Sequence, residues 1–411
     1  MCSTYVFARI SNVLKMDRRK FIKNSSLASS LFFVPSFVKA FSDVITSKTG
    51  YKRLVIIQLS GGNDGLNTLI PFRNDVYYKA RPTIGIKKEN LINLNNELGL
   101  HSSLLPLKKL YDQGYVSIIN NVGYPNPNRS HFRATDIWQT ASHSNQYLQS
   151  GWIGRYLDNF NQNPYAAIEI DVSLSLALKG EVQNGMAVKS PNTLYKTTQD
   201  PYLKKVVEHY EESHLSEHNL GYLYKTMIDT ENSAKYIFET SKTVTPSQNY
   251  PNNGFSKQLR TTAQFINSGL KTRVFYASLN GFDTHVNQMN VHKRHLKTYA
   301  DGIDAFVKDL QSKNTFNDTL ILTFSEFGRR VKQNRGNGTD HGSANTLFII
   351  GGNLKKPGVY NEMGSLEDLD DNGDVKFEID FRNVYATVLK QWLHVEDNVV
   401  LNQSFNQLDF I

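Results

Sequence analysis

Short runs of Val, Ile, Leu, Phe and Thr recur along this sequence, and groups rich in Asp, Glu, His and Gly lie directly beside four of them. Three groups follow their runs and one precedes its run: 60–65, 281–285, 325–329 and 339–342. Apolar runs separated by helical stretches predict a mainly parallel sheet covered by helices. Such a sheet binds its ligands outside the carboxyl ends of the strands. Carboxylate and imidazole side chains gathered there predict a divalent metal site.

The hydrophobic pattern predicts the following elements of this α/β fold. The strands are 53–59, 115–121, 165–170, 273–279, 318–324 and 346–350, and the helices include 102–113, 131–148, 291–312 and 382–393. Between about 172 and 260 the sequence turns to polar helical stretches rich in Glu, Lys, His and Tyr. We therefore expect one domain over 50–411 that carries a helical insertion at about 172–260.

The N-terminus has the composition of an export signal. Arg18 and Arg19 are followed by Phe21, a short apolar stretch over 27–38 and the small residue Ala40. Paired arginines before such a stretch are typical of a twin-arginine signal peptide. The stretch is too short and too rich in Ser to span a bilayer comfortably.

We therefore expect 16–40 to be a signal that is read by the twin-arginine translocase, and 1–15 to be an over-called start. The mature protein would then be exported to the periplasm or cell envelope, and we see no transmembrane segment in it.

The net charge of +8 comes largely from this leader. Residues 1–40 hold seven Lys or Arg and one Asp, which leaves 39 basic and 37 acidic residues and a net charge of +2. A chain so nearly balanced gives no electrostatic argument for nucleic-acid binding. The single cysteine, Cys2, also lies in the leader. The mature chain therefore has no disulfide, thiolate ligand or thiol nucleophile.

Five motifs in order resemble the family called domain of unknown function 1501. They are GGNDGLN at 61–67, NPNRSHF at 126–132, GFDTH at 281–285, SEFGR at 325–329 and TDHG at 339–342. Proteins of that family are exported by the twin-arginine route and are grouped with the alkaline phosphatase and sulfatase superfamily. The resemblance implies an alkaline phosphatase-like three-layer sandwich with a mostly parallel central sheet and helices on both faces.

The superfamily also implies a working scheme for individual residues. Asp64, after the first strand, resembles a metal ligand. Asp283, His285 and His341 resemble the ligands of the first metal. Ser130 resembles the nucleophile, since it lies at a helix start where the helix N-terminus would favour an alkoxide and an anionic ester oxygen.

One departure from the superfamily pattern leaves the number of metal ions open. Glu326-Phe327 stands where a pair of metal ligands is usual, so a second ion would lack a ligand unless Asp340 replaces it. Arg329 or Arg330 would supply positive charge instead, because a guanidinium binds phosphate or sulfate in a bidentate way. Arg129, beside Ser130, is a further candidate for anion binding. The ion itself would be Zn, Mn or Ca.

Each of these residues also has a purely structural interpretation. Asp64 lies in a Gly- and Asn-rich turn, Asp283 to His285 would cap the helix that follows, and Asp340 would be an isolated loop carboxylate. Ser at a helix start is most often an N-cap. The segment 368–374 begins like a calcium-binding EF-hand loop, but Ile379 stands where that loop needs Glu.

The motifs together favour an exported metal-dependent hydrolase that acts on phosphate or sulfate esters. A small anionic ester or a glycan would be its substrate. The alternative is a non-catalytic exported binding protein with a partial alkaline phosphatase-like site, which would hold an anionic glycan.

Overall fold

The computed structural model describes residues 50–161, 163–208 and 219–411, with no side chains described over 206–226. The chain divides into Met1–Tyr51 and a compact unit, Lys52–Ile411. The predicted over-called start and signal peptide lie outside the described residues.

Within the described residues the strands, numbered in chain order, fall in two sheets. They are β1 Arg53–Ser60, β2 Leu69–Pro71, β3 Leu91–Asn93, β4 Leu98–His101, β5 Val116–Gly123, β6 Ala167–Glu169, β7 Met186–Ala187, β8 Val274–Asn280, β9 Thr319–Phe324, β10 Asn345–Ile350, β11 Gly358–Val359 and β12 Ile379–Asp380.

The α-helices of the same residues are numbered likewise, and the π-helix Val388–Leu393 continues the one that begins at Phe381. They are α1 Asp75–Ala80, α2 Leu105–Asp112, α3 His131–Thr140, α4 Trp152–Phe160, α5 Pro191–Thr198, α6 Pro201–Glu208, α7 Asn219–Ser241, α8 Gly254–Asn267, α9 Gln288–Ser312, α10 Phe381–Thr387 and α11 Asp397–Leu401. The predicted helix over 131–148 is shorter than expected. It ends because Ala141 takes a left-handed conformation, with φ of 54°.

The large sheet has the strand order β11-β5-β10-β9-β1-β8-β6-β7, and β12 pairs with β5. Its pairs are parallel, except that β10 runs antiparallel to both β5 and β9. The start of β10 therefore lies at the same edge as the carboxyl ends of β1, β8 and β9. This direction explains why three polar groups of the sequence follow a strand while the fourth precedes one.

Both faces of this sheet are buried. Along β1, Val55 and Ile57 pack into one hydrophobic cluster with α2, α8 and α9. Leu54 and Ile56 pack into a second cluster with α3, α4 and α10. The alternation follows from the two-residue period of a strand, and the continuous apolar run follows from burial on both sides. The predicted α/β sandwich with a mostly parallel sheet is confirmed.

A smaller antiparallel sheet, β2-β4-β3, was not anticipated from the sequence. Its strands are only three or four residues long, which is too short for periodicity to reveal. Helices α5 to α7 occupy much of the segment in which the helical insertion was predicted. In the described part of the chain, no helix combines the length and the hydropathy that crossing a bilayer would require.

Candidate metal centre

Gly61 and Gly62 allow the loop after β1 to pack closely against its neighbours. Both have positive φ, 117° and 69°, which glycine adopts without a steric penalty. A Cβ on Gly61 would clash with the backbone nitrogen of Asp283. The Gly61 N–H donates to Oε1 of Glu326 at 2.8 Å. These contacts bring the residues that follow β1, β8 and β9 together at one edge of the sheet.

A single carboxylate oxygen, Oδ1 of Asp283, lies at the centre of the polar groups gathered there. Four side-chain nitrogens approach it: Nη2 of Arg329 at 2.7 Å, and the Nε2 atoms of His285 at 2.9 Å, His341 at 3.2 Å and His131 at 3.4 Å. The Nε2 atoms of His285 and His341 are themselves 2.9 Å apart. Three imidazoles and one carboxylate therefore converge from three separate segments of the chain.

The other ring nitrogen of each imidazole faces a hydrogen-bond acceptor. Nδ1 of His131 lies 2.9 Å from Oε1 of Glu326, Nδ1 of His285 lies 3.0 Å from Oδ1 of Asp340, and Nδ1 of His341 lies 2.7 Å from the carbonyl oxygen of Arg129. Because a neutral imidazole carries one proton, these acceptors assign it to Nδ1 in all three rings. The Nε2 lone pairs then point towards Asp283.

This donor set fits a divalent cation. Imidazole lone pairs as close as those of His285 and His341 repel one another unless positive charge lies between them. Nε2 of His131 is buried and has no hydrogen-bond partner. Metal-binding histidines usually donate their other N–H to a carboxylate or a backbone carbonyl, as all three do here. Ligands at about 2.0–2.1 Å from a tetrahedral zinc ion are roughly 3.3 Å apart. The three Nε2 atoms lie 2.9–3.4 Å from Oδ1 of Asp283, and the ligand atoms of His131, Asp283 and His341 all lie within 4.8 Å of one another.

The charges of Asp283 and His341 also suit metal binding near neutral pH. Burial opposes the ionisation of Asp283, but the hydrogen bond and charge of Arg329 outweigh it and lower the pKa of Asp283 to about 2. Burial lowers the pKa of His341, which favours the neutral ring. The hydrogen bond to Glu326 raises the pKa of His131. Asp283 is thus anionic and His341 neutral, the forms in which they bind metals.

Asp64 has other partners. Its carboxylate is fully buried and pairs with Nη1 of Arg81 at 2.7 Å. It also accepts hydrogen bonds from the side chain of Gln288 and from the backbone N–H of Asn67. The carboxylate that the sequence predicted as a metal ligand is therefore paired with a buried guanidinium instead.

Glu326 and Asp340 join the site through histidines. Glu326 is 1% exposed, and its Oε1 accepts from both His131 and Gly61. Asp340 accepts from His285 and, at 3.1 Å, from Asn334. That amide and the His285 contact lower the pKa of Asp340. The carboxylates of Glu326 and Asp340, which the sequence predicted as metal ligands, thus contact the imidazoles of His131 and His285 and orient them.

Two of the three predicted anion-binding arginines, Arg329 and Arg129, are engaged within the protein. Arg329 is buried and donates to the carbonyl oxygens of Gly61, Gly62, Phe282 and Thr339 as well as to Asp283. Arg129 donates to Asp370 and Asp374 in the segment that resembles an EF-hand loop. Both guanidinium groups therefore hold loops around the metal centre in place.

Ser130 lies at the N-cap position of α3, next to His131. Its side chain is exposed and makes no capping hydrogen bond to the helix. The ordinary structural role of Ser at a helix start is therefore absent, and the exposed serine directly precedes His131.

Sequence reasoning missed His131 as a candidate ligand. The available signal was its place at the first turn of the helix that follows β5, whose carboxyl end lies at the same edge as those of β1, β8 and β9. His292, in α9, is 2% exposed, and its Nε2 lies 2.9 Å from Oδ1 of Asn63.

Comparison with known proteins gave one family match and several remote structural matches. A family model described as "Protein of unknown function (DUF1501)" matches residues 114–403. The lipoteichoic acid synthase LtaP from Listeria monocytogenes is 11% identical, with a TM-score of 0.39, over 90% of this chain and 82% of its own.

Two further solved structures match at similar levels. The PsFucS1 sulfatase from Pseudoalteromonas sp. is 13% identical, with a TM-score of 0.37, over 90% of this chain and 73% of its own. A protein in the alkaline phosphatase superfamily from Vibrio parahaemolyticus is 10% identical, with a TM-score of 0.36, over 89% of this chain and 73% of its own. No curated protein matches the sequence.

Proposed function

This chain belongs to the DUF1501 family of proteins of unknown function, and we propose that it is an exported, metal-dependent hydrolase of phosphate or sulfate esters. The observation that carries this proposal is the convergence of three imidazole Nε2 atoms on one oxygen of Asp283. His131, Asp283, His285 and His341 would hold one divalent ion.

A donor set of three nitrogens and one oxygen favours zinc or a similar transition metal over calcium, which prefers six to eight oxygen ligands. When bound, the ion would act as a Lewis acid towards an ester oxygen and neutralise charge on the transferred group. The buried ion pair of Asp64 with Arg81 supports a single ion, because the carboxylate that would bind a second one is already neutralised.

Ser130 supplies the nucleophile in this proposal. Its oxygen forms a bond to the phosphorus or sulfur atom, its proton passes to solvent, and the ester alcohol leaves with a proton from water. Water then releases phosphate or sulfate and restores the hydroxyl. The N-terminus of α3 stabilises negative charge on the serine oxygen and on the transferred group.

Replacing Ser130 with Ala should leave metal content unchanged and lower turnover of an aryl phosphate or sulfate ester by about a hundredfold or more, roughly 2.7 kcal/mol of transition-state stabilisation. Stability should change little, because the hydroxyl does not cap α3. Ser190→Ala is the matched control, since Ser190 caps α5 by accepting from the N–H of Thr193 at 3.3 Å. That control should lose about 1 kcal/mol of stability and no turnover.

The pattern of results separates the enzyme from the alternative. Full turnover in Ser130→Ala would remove Ser130 from the mechanism. A wild type that retains zinc but hydrolyses neither ester class would favour the non-catalytic, glycan-binding protein. The engagement of the buried Arg329 guanidinium by Asp283 and backbone carbonyls favours that alternative, because this arginine is then not free to stabilise a phosphate or sulfate group during its transfer.

Export is proposed from the sequence of the leader alone. Replacing Arg18 and Arg19 together with Lys should leave the protein in the cytoplasm with its leader uncleaved, because the translocase reads the arginine pair. Cell fractionation and the apparent mass of the chain measure the outcome, with Arg73→Lys, at an exposed position after the leader, as the control that should be exported normally. Delivery of the double variant to the periplasm would refute the twin-arginine route.

A further inference from the structure

We propose that the acidic loop, residues 368–374, positions His341 for metal binding through Arg129, and that Asp374 is the residue on which this positioning depends. The inference rests on the metal centre of the proposed function. It also assigns a role to this loop, which begins like a calcium-binding EF-hand loop and takes no part in the proposed reaction.

Four hydrogen bonds, all made by Arg129, connect the acidic loop to the metal centre. Nε of Arg129 donates to Oδ2 of Asp374 at 2.7 Å, and Nη2 donates to the same oxygen. Nη2 also donates to Oδ2 of Asp370 at 3.2 Å. The carbonyl oxygen of the same arginine accepts from Nδ1 of His341 at 2.7 Å. Arg129 is thus held by its side chain while its backbone orients a metal-binding imidazole.

The acidic loop is itself rigidly organised. Oδ1 of Asp370 accepts from the backbone N–H groups of Asn372 and Asp374, each at 2.9 Å. Leu369 and Val375 form an antiparallel bridge, and the carbonyl of Val375 accepts from the hydroxyl of Ser343 at 2.6 Å. The carboxylates of this loop are therefore held in place as an anionic binding site for the Arg129 side chain.

Burial makes the contribution of Asp374 larger than that of an ordinary surface ion pair. Its side chain is fully buried, whereas that of Asp370 is 23% exposed. Burial raises the pKa of Asp374, and the hydrogen bonds and charge of Arg129 act against that rise. Charge-assisted hydrogen bonds with no competing water are among the stronger ones in proteins. Losing them would free the Arg129 carbonyl to move, and His341 would lose its fixed orientation.

Asp374→Asn tests this positioning role, with Asp368→Asn as the matched control. Asp368 belongs to the same loop but is largely exposed and pairs with Lys376. Zinc affinity of the full chain, measured by competition with a chelator, should fall roughly 10–100-fold in Asp374→Asn, as when a group that holds a metal-binding histidine is removed. In Asp368→Asn it should change less than about twofold, since an exposed pair contributes little. Equal effects in the two variants would overturn the proposal.

A second measurement shows whether Asp374 acts through Arg129. Arg129→Gln should lower zinc affinity by a similar factor, and adding Asp374→Asn to it should lower the affinity no further, because coupled residues are not additive. Should Asp374→Asn fail to fold, Asp370→Asn takes its place in both measurements, with a smaller expected loss. Fully additive losses would overturn the proposal.

The ¹⁵N chemical shifts of the His341 imidazole, measured in metal-free protein, test the positioning role independently of the proposed function. The wild type and Asp368→Asn should show the proton on Nδ1, and Asp374→Asn should show a mixture of tautomers. That result would support the positioning role even in a protein that bound no zinc. An unchanged tautomer in Asp374→Asn would overturn it.

Discussion

Replacing His131 with Ala should abolish tight zinc binding by the full chain, with an affinity loss larger than the roughly 10–100-fold that follows loss of a group holding a ligand. The expected loss is large because the substitution removes one of four donors and leaves Glu326 without the imidazole that its Oε1 binds. Metal content after dialysis and chelator competition measure the result. His143→Ala is the control, since His143 follows the same helix and contacts Arg382 instead.

Thermal unfolding gives an independent readout of the same variant. A ligand that binds only the folded state stabilises it by mass action, so zinc should raise the unfolding temperature of the wild type and of His143→Ala. The same addition should have little effect on His131→Ala. Undiminished zinc affinity in His131→Ala would show that His131 lies beside the metal centre without contributing to it.

The edge of the sheet at which these polar groups meet followed from the sequence because it depends on strand direction alone. Polar residues after 54–59, 273–279 and 319–324 meet at one edge wherever those strands run parallel. The group at 339–342 reaches the same edge because β10 is antiparallel. Fold class was equally accessible, since strands buried on both faces leave continuous apolar runs in the sequence.

The direction of each side chain did not follow from the sequence. Glu326 and Asp340 lie at the expected edge, yet their carboxylates bind the far nitrogens of His131 and His285. A residue that orients an imidazole and one that binds the ion belong to the same residue types and occupy the same loops. Only backbone geometry separates them, and periodicity carries no information about loop geometry.

The partner of Asp64 was hidden for a different reason. Arg81 ends a six-residue helix that has too few turns to leave a periodic pattern. It also donates to the carbonyl oxygens of Val331 and Arg330, both at 2.9 Å. Tertiary pairing of this kind depends on how separate loops pack, and no local signal in the sequence records it.

Replacing Asp64 with Asn should destabilise the fold by roughly 3–5 kcal/mol near neutral pH while leaving zinc content unchanged. Both side chains of the Asp64–Arg81 pair are 0% exposed, so the variant would leave an uncompensated guanidinium in the interior. Chemical denaturation measures the loss. Asp301→Asn, which removes an exposed pair with Lys297, is the control and should cost about 0.5 kcal/mol or less.

The stabilisation that Asp64 contributes should depend on pH, and the direction of its pKa shift determines how. Burial opposes ionisation of Asp64, but the charge and hydrogen bond of Arg81 outweigh it and lower the pKa of Asp64 in the folded state. The stabilisation is therefore fully present above the unfolded-state pKa of about 3.9 and is lost as the pH falls through the lower folded-state value. The difference in unfolding free energy between the wild type and Asp64→Asn should shrink over that acidic range. If Asp64→Asn kept its stability but lost zinc, Asp64 would be a metal ligand. The proposal of a single ion held without Asp64 would then be wrong.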